Sequence, residues 1–466
     1  MGQSGKSQIN KEQIGKEQNA NTVSSCLLID KLSTVIKDNR VLILGYGKEG
    51  QSTYRALSGI GGYRCLDIAD SNPTVIDIAP DDAAFIGGNY PDALDNYDVV
   101  FKSPGIVLPD KILKKSCRIV SQTDIFISVY SRQTVGITGT KGKSTVTTLL
   151  HHTFKTNGLD TILAGNIGIP MFDVAVRIKP ESIIVAELSC HQLEYCEHSP
   201  STAVLLNLYE DHLDHYGTFE RYIQAKKNIF RFQNEQDTLF TQNDYLFATS
   251  AAKSKIRLVS TTNLPFNKLE DIDNIKLRGE HNLLNAAFVN DICNEMGLDS
   301  IAFVKALRSY NPLPHRLEFI GNKNGVDYYD DSISTTVQSS ISAVQSISNA
   351  GTLILGGMDR GIDYSALVDF LLNSNLNIVI CMYESGKRIY EMFSARCLRP
   401  SDEQSDNNLE QLKHFVYVDD LKKAVEYAKK HTLPGTACIL SPAAASYGDF
   451  TNFEERGDVY KNILFG

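Results

Sequence analysis

One stretch, Thr138-Gly139-Thr140-Lys141-Gly142-Lys143-Ser144-Thr145, limits the fold more than any other part of this 466-residue chain. A short apolar run, Val135-Gly136-Ile137, leads into it, and a helix-like stretch from Val146 to Phe154 follows. A strand that ends in a glycine loop and restarts as a helix aims backbone N–H groups, and the positive end of the helix, at one point. Such a loop wraps a phosphate chain with Gly139, Thr140, Lys141 and Gly142. Lys143 then reaches the terminal phosphates, Ser144 offers its hydroxyl to Mg²⁺, and Thr145 follows in the helix. The common spacing is G-x-x-x-x-G-K-[ST], but position 137 is Ile and the nearest upstream glycine is Gly139. This is a shorter G-x-x-G-K-S-T form, and ATP is its expected ligand.

Composition narrows the partners. A net charge of −9 argues against a broad nucleic-acid face, which needs clustered Lys and Arg. No apolar run approaches the ~20 residues of a membrane span. The first 25 residues, rich in Gln, Asn, Ser and Lys, lack an apolar core, so they read as a disordered tail rather than a secretory signal. Nine scattered cysteines without a C-x-x-C pair suit reduced thiols in a cytoplasmic protein. Cys190, His191, Cys196 and His198 lie close in sequence, yet their spacing fits no usual zinc pattern, and zinc is not expected there.

Three series of apolar runs predict three α/β domains, each on a mostly parallel sheet: residues 26–121, 122–312 and 313–466. In the first, Val41 to Leu44 runs into Gly45-Tyr46-Gly47-Lys48-Glu49-Gly50, a G-x-G-x-x-G turn, and Asp67 closes a second strand-like run. Alone the turn is ambiguous. It suits a dinucleotide, another nucleotide diphosphate or a purely structural strand-to-helix bend, and an NAD-dependent dehydrogenase is the alternative it raises. In the second series three runs end in the phosphate loop, in Glu187-Leu188-Ser189 and in Tyr209-Glu210-Asp211-His212. Ligands gather outside the carboxyl ends of parallel strands, so these three ends should meet in one crevice. The third series runs through Val326–Tyr329, Thr352–Leu355, Ile378–Met382 and Ala437–Leu440, with residues 400–411 as a polar surface loop.

Several residues have two readings at this level. Glu187 is a metal ligand or a helix cap. His212, with Asp211, Asp214 and His215, is part of a metal site or of a solvated loop. Lys226 reads from its amphipathic helix as an ordinary surface lysine.

Taken together, T-G-T-K-G-K-S-T (138–145), G-N-I-G-I-P (165–170), A-E-L-S-C-H-Q-L-E (186–194), L-Y-E-D-H-L-D (208–214), Y-I-Q-A-K (222–226), E-H-N-L-L-N-A (280–286), P-H-R-L-E (314–318), L-I-L-G-G-M-D-R-G (353–361), L-S-P-A-A-A-S (440–446) and N-F-E-E-R-G (452–457) resemble the Mur ligases. The matches keep family order over residues 40–466, and two of them favour the glutamate-adding branch. The resemblance implies a cytoplasmic, monomeric, ATP-dependent amide ligase of peptidoglycan precursor synthesis. It would join D-glutamate to UDP-N-acetylmuramoyl-L-alanine through an acyl phosphate. It further implies a pair of Mg²⁺ ions held by Ser144, Glu187, His212 and a carbamate on Lys226, which replaces the surface-lysine reading. Asn285 would meet the adenine, Arg316 the phosphate and Asp331 the ribose. Lys48, Glu49, Asp67, Ser103 and Gly105 would surround the uridine diphosphate, and Asn166, Ser189 and Gln192 the muramoyl part. Thr335, Arg360, Ser446 and Phe453 would hold the incoming glutamate.

One pocket departs from the family pattern. The usual D-S-K-A-T-N reads Asp331-Ser332-Ile333-Ser334-Thr335-Thr336, so a lysine that would help bind the amino acid is Ile333. Arg360 offers a planar fork that can grip a carboxylate in its place. D-glutamate is the expected acceptor, with L-glutamate the alternative.

Overall fold

The computed structural model describes residues 27–80, 83–87, 93–108, 117–250, 252–273, 275–277, 280–397 and 414–466. The expected N-terminal tail and the 400–411 loop lie outside them. The chain forms two compact units, one containing the described residues through Asn267 with Leu284–Leu307, the other Lys268–Leu283 with Arg308–Gly466.

The first unit carries two sheets. Strands β1 (Arg40–Leu44), β2 (Cys65–Ala69), β3 (Phe85–Ile86), β4 (Val99–Lys102) and β5 (Arg118–Val120) form an all-parallel sheet in the order β3-β2-β1-β4-β5. Strands β6 (Thr134–Thr138), β7 (Thr161–Gly165), β8 (Ile183–Glu187), β9 (Thr202–Leu205), β10 (Thr238–Thr241) and β11 (Lys255–Leu258) form a second, in the order β11-β10-β9-β6-β8-β7, also parallel throughout. Strand β6 is buried along its whole length, as expected for a strand covered on both faces.

Helix α1 (Lys48–Ile60) follows the G-x-G-x-x-G turn, and helix α2 (Gln122–Tyr130) joins the two sheets. Ser121 caps α2 by accepting a hydrogen bond from the Asp124 amide at 3.0 Å. Ile125, Phe126 and Ile127 of α2 belong to one core that also holds Val41 and Ile43 of the first sheet and Ile184 and Leu205 of the second. The two sheets therefore share a continuous apolar interior, and truncating Phe126 to Ala would cost about 3–5 kcal/mol.

Four further helices position the sites: α3 (Lys143–Thr156), α4 (Cys190–Leu193), α5 (Phe219–Arg231) and α6 (Glu280–Glu295). Helix α4 is a single short turn that ends at Leu193.

In the second unit, β12 (Glu318–Lys323), β13 (Val326–Asp330), β14 (Ala350–Leu355), β15 (Ile378–Met382), β16 (His414–Val418) and β17 (Ala437–Leu440) lie in the order β12-β13-β17-β14-β15-β16. Only the β12–β13 pairing is antiparallel. Alternate side chains divide between two cores: Leu353, Leu355, Val379 and Ile439 enter one, and Ile354, Ile380, Cys438 and Leu440 the other. Helix α7 (Phe453–Phe465) closes the chain.

Candidate active site

The phosphate loop leaves the end of β6, and its glycines are required there. A Cβ on Gly139 (φ 153°) would lie 2.8 Å from Leu206 Cβ. Gly142 caps α3 in the left-handed region at φ 84°, and a Cβ on it would lie 2.5 Å from Asn285 Oδ1. Asn285, on α6, is thus seated against the loop. Asn207, just beyond β9, braces the same loop. Its Oδ1 accepts hydrogen bonds from the Thr140 and Lys141 amides at 3.0 and 2.7 Å, and its Nδ2 donates to Lys141 O at 3.0 Å. Lys143 Nζ donates to the Gly139 and Thr140 carbonyls at 3.0 and 3.1 Å. Ser144 is buried in the first turn of α3, next to the half-buried Thr145.

Strand register brings Glu187 to this loop. It ends β8, level with Ile137 of β6 and Gly165 of β7. Its side chain is 1% exposed; Oε1 accepts a hydrogen bond from Asn166 Nδ2 at 2.7 Å, and Oε2 is buried with no hydrogen-bond partner. A buried carboxylate oxygen left bare is costly unless something cationic meets it. The cap reading of Glu187 gives way, since Ser189 caps α4, accepting from the Gln192 amide at 3.2 Å.

Lys226 of α5 is 1% exposed, so the surface-lysine reading is corrected. Its Nζ donates to Gly139 O at 2.9 Å and lies 4.7 Å from the centre of the Tyr222 ring. Burial, and then the Lys143 ammonium, pull this amine down to about 7, against the opposing pull of Asp211 and Glu187. His212 stands at φ 52° in the loop after β9, with its side chain 45% exposed and Nε2 3.8 Å from Asp211 Oδ2. Beside it, burial and the neighbouring His215 and His212 draw the His191 imidazole down to about 4. Of the four Cys/His positions grouped by sequence, two turn elsewhere: Cys196 Sγ donates to Gln192 O at 3.2 Å, and His198 Nδ1 lies 2.9 Å from Asp124 Oδ1.

A cavity of about 470 Å³ opens between the two sheets of this unit, lined by Lys48, Glu49, Ser103, Gly105, Asn166 and Gln192 among others. Gln192 Nε2 donates to Glu49 Oε2 at 3.3 Å. Loss of water pushes the Glu49 carboxyl up to about 7, against the opposing effects of Gln192 and Lys102. Asp67 does not close its strand, because β2 runs on to Ala69. Its carboxylate accepts from Tyr97 OH at 2.8 Å and Ala84 N at 3.2 Å. Asp70, just past the carboxyl end of β2, lines the cavity instead and accepts from the Tyr46 amide at 2.8 Å.

The second unit holds the remaining candidates. His315 is buried at φ 59° against Asp330 Oδ2 (2.7 Å), and this left-handed turn presents the exposed Arg316. Asp331 is 4% exposed, and its carboxylate accepts from Leu317 N at 3.0 Å and Ser441 Oγ at 2.7 Å. Burial raises it to about 6, against those bonds, Ser334 and Arg316. A bridge between Met358 and Ala445 sets the Arg360 loop beside the buried Ser446, with the Arg360 guanidinium 5.5 Å from the Tyr447 ring centre. Arg456, fully buried, donates to Ser332 Oγ (3.0 Å), Ser332 O (2.8 Å) and Ala444 O (3.1 Å), while Ser332 Oγ donates to Phe453 O at 2.8 Å. One guanidinium thereby ties together the segments that carry Asp331, half-buried Thr335, Ser446 and Phe453.

These features have counterparts among known proteins. The Mur ligase middle domain pattern matches residues 137–272. The UDP-N-acetylmuramoylalanine--D-glutamate ligase of Citrifermentans bemidjiense is 31% identical over 460 residues, 91% of this chain and 97% of that protein. The chain belongs to the Mur ligase family. The protein of the same name from Geobacillus kaustophilus is 30% identical over 456 residues, again 91% of this chain and 97% of its own. Two solved Mur ligases from Thermotoga maritima share the fold. The UDP-N-acetylmuramate-alanine ligase MurC has a TM-score of 0.53 at 16% identity, covering 91% of this chain and 99% of its own. MurF in complex with ADP has a TM-score of 0.52 at 18% identity, covering 93% and 96%.

Within this Mur ligase frame, sequence reasoning missed Asp70, Asn207 and Arg456. Each left a faint signal: Asp70 and Asn207 stand just past the carboxyl ends of strands, and Arg456 lies inside the 452–457 family segment.

Proposed function

We propose that this chain is an ATP-dependent ligase that forms an amide between the alanyl carboxylate of UDP-N-acetylmuramoyl-L-alanine and the amine of D-glutamate. One observation carries the reading: a phosphate loop, a bare buried carboxylate oxygen on Glu187 and a buried Lys226 meet at the carboxyl ends of adjacent parallel strands. The likeness to D-glutamate ligases over 91% of the chain supports the choice of substrates.

A carboxylate facing an amine forms a salt, so it must first be activated. A carboxylate oxygen attacks the γ-phosphorus of ATP, ADP departs, and an acyl phosphate results. The glutamate amine then attacks the acyl carbon through a tetrahedral intermediate. Phosphate leaves with the former carboxylate oxygen, and the amine proton passes to solvent. The loop N–H groups and Lys143 hold the phosphates, while positioning of the two reactants supplies about 7–11 kcal/mol.

The donor set fits a hard cation, because Glu187 Oε2 is buried and unpaired on a strand end level with Ile137, just before the loop that leads to Ser144. Ser144, Glu187, His212 and a carbamate on Lys226 would hold Mg²⁺. When bound, the metal offsets charge on the transferring phosphoryl group. Carbamylation joins the neutral Lys226 amine to CO₂, releases a proton and replaces a buried cation with an anion. Asn285, Arg316 and Asp331 serve the nucleotide. The Lys48–Gln192 cavity takes the UDP-sugar, and Thr335, Arg360, Ser446 and Phe453 take glutamate, with Arg360 supplying the charge that Ile333 lacks. Among the described residues no helix is long and apolar enough to cross a membrane. We place the reaction in the cytoplasm, carried out by a monomer.

The test is phosphate release with ATP, Mg²⁺ and UDP-N-acetylmuramoyl-L-alanine, comparing D- and L-glutamate and weighing the product. Turnover with D-glutamate and a product heavier by one glutamyl residue is expected. Turnover with L-glutamate alone, or with neither, overturns the assignment.

A further inference from the structure

We propose that Cys190, His191 and His212 form a binding site for a thiophilic divalent cation of the Zn²⁺ type, and that filling it draws His212 away from the Mg²⁺ site. One ligand atom from each of the three residues lies within 4.8 Å of the other two. They come from two turns: Cys190 and His191 open α4 just after β8, and His212 stands at φ 52° after β9. Strands β8 and β9 flank β6, so both turns leave the same edge of the sheet.

The donor chemistry separates this cluster from the neighbouring hard-cation site. It offers one sulfur and two imidazoles and no carboxylate. Mg²⁺ selects oxygen, whereas Zn²⁺ binds sulfur at about 2.3 Å and imidazole nitrogen at about 2.0–2.1 Å. Ligand atoms around a tetrahedral ion of that size stand about 3.3–3.7 Å apart, so closing the cluster onto an ion takes a contraction of at most about 1.5 Å. The parts differ in their freedom to do so. Cys190 is 2% exposed, and His191 is stacked on Tyr216 with centroids 5.7 Å apart and planes at 14°. The His212 ring, 4.7 Å from that of His191 and 45% exposed, is the part that swings. His215 is also near, its ring centre 4.4 Å from that of His191, but its Nε2 is 3.2 Å from Glu194 Oε2. The fourth position is therefore left to water. Binding converts the Cys190 thiol to a metal thiolate and releases its proton to the buffer.

The withdrawal of His212 rests on the ligase reading above; the site itself does not. Co²⁺ is the probe, added to the full chain without nucleotide. We expect a sulfur-to-cobalt charge-transfer band that Zn²⁺ bleaches and that Cys190→Ser abolishes. In the ligase assay, Zn²⁺ should inhibit the wild-type chain. At least about 10-fold more should be needed for Cys190→Ser and for His191→Phe, both melting as the wild type does. No charge-transfer band in the wild-type chain overturns the site. Equal Zn²⁺ sensitivity in all three proteins overturns the withdrawal of His212. Failure of the ligase reading would show separately, as absent turnover without zinc while the cobalt band persists.

Discussion

Two glycine-rich turns in the first unit follow the same strand–turn–helix grammar, and we assign them different ligands. In the turn after β1, glycine is demanded by packing: a Cβ on Gly50 would sit 2.0 Å from the Gly45 carbonyl oxygen, while one on Gly47 would meet nothing within 4 Å. This turn opens onto a cavity lined by Lys48, Glu49 and Asp70, and Gln51 rather than a lysine follows its last glycine. In the turn after β6, Lys143 follows the last glycine, Asn207 braces the loop with Asn285 seated against it, and Glu187 and Lys226 converge on it. Glycine permits the bend in both. The residue after the last glycine, Gln51 in one and Lys143 in the other, is the difference on which the two proposed ligands rest.

Removing the buried amine should break the contrast most. Lys226→Ala is expected to lower turnover by on the order of 10³-fold, with partial recovery when formate is added; the phosphate-release assay reads both. Full activity in the variant would remove Lys226 from the site. On the other turn, Gly50→Ala should cost about 1–3 kcal/mol by overpacking, seen as a lower melting temperature, while Gly47→Ala should melt nearly as the wild type does. Equal melting of the two would refute the packing account. Asn207→Ala leaves the Thr140 and Lys141 amides without their acceptor, and should raise the KM for ATP about 10-fold through loss of about 1–2 kcal/mol of bracing.

The smallest effect concerns Glu49. Its folded-state value, about 7, lies above the usual 4.5 of an exposed glutamate. Between those values the native chain keeps a proton that the unfolded chain has lost, so this contribution to stability falls as pH rises through the window. Melting curves at pH 5 and pH 7.5 should show that slope flattened in Glu49→Gln. An unchanged slope would assign the pH dependence elsewhere.

Much of this arrangement was legible in the sequence. Near-continuous apolar runs located the three sheets because parallel strands are buried on both faces, and the strand-end rule placed Glu187 beside the phosphate loop. What escaped depended on distances between segments far apart in the chain. Asp67 looked like the end of its strand, but Ile68 and Ala69 extend β2, and Asp70 stands just past its end. Nothing near Asn207 or Arg456 in sequence says which loop each will brace. Lys226 was partly readable: it falls four residues after Tyr222 and three and four before Ile229 and Phe230, on the buried stripe of α5. A charge on an apolar stripe is a question the helix pattern had already asked.

The central claim is that the loop at Gly139–Thr145 serves acyl-phosphate chemistry, while the turn at Gly45–Gly50 only holds the substrate that is activated. It is tested most directly with UDP-N-acetylmuramoyl-L-alanine carrying ¹⁸O in its alanyl carboxylate. The account predicts that each phosphate released in the presence of D-glutamate carries one ¹⁸O atom, visible as a shifted ³¹P resonance. Turnover that releases only unlabelled phosphate would contradict it.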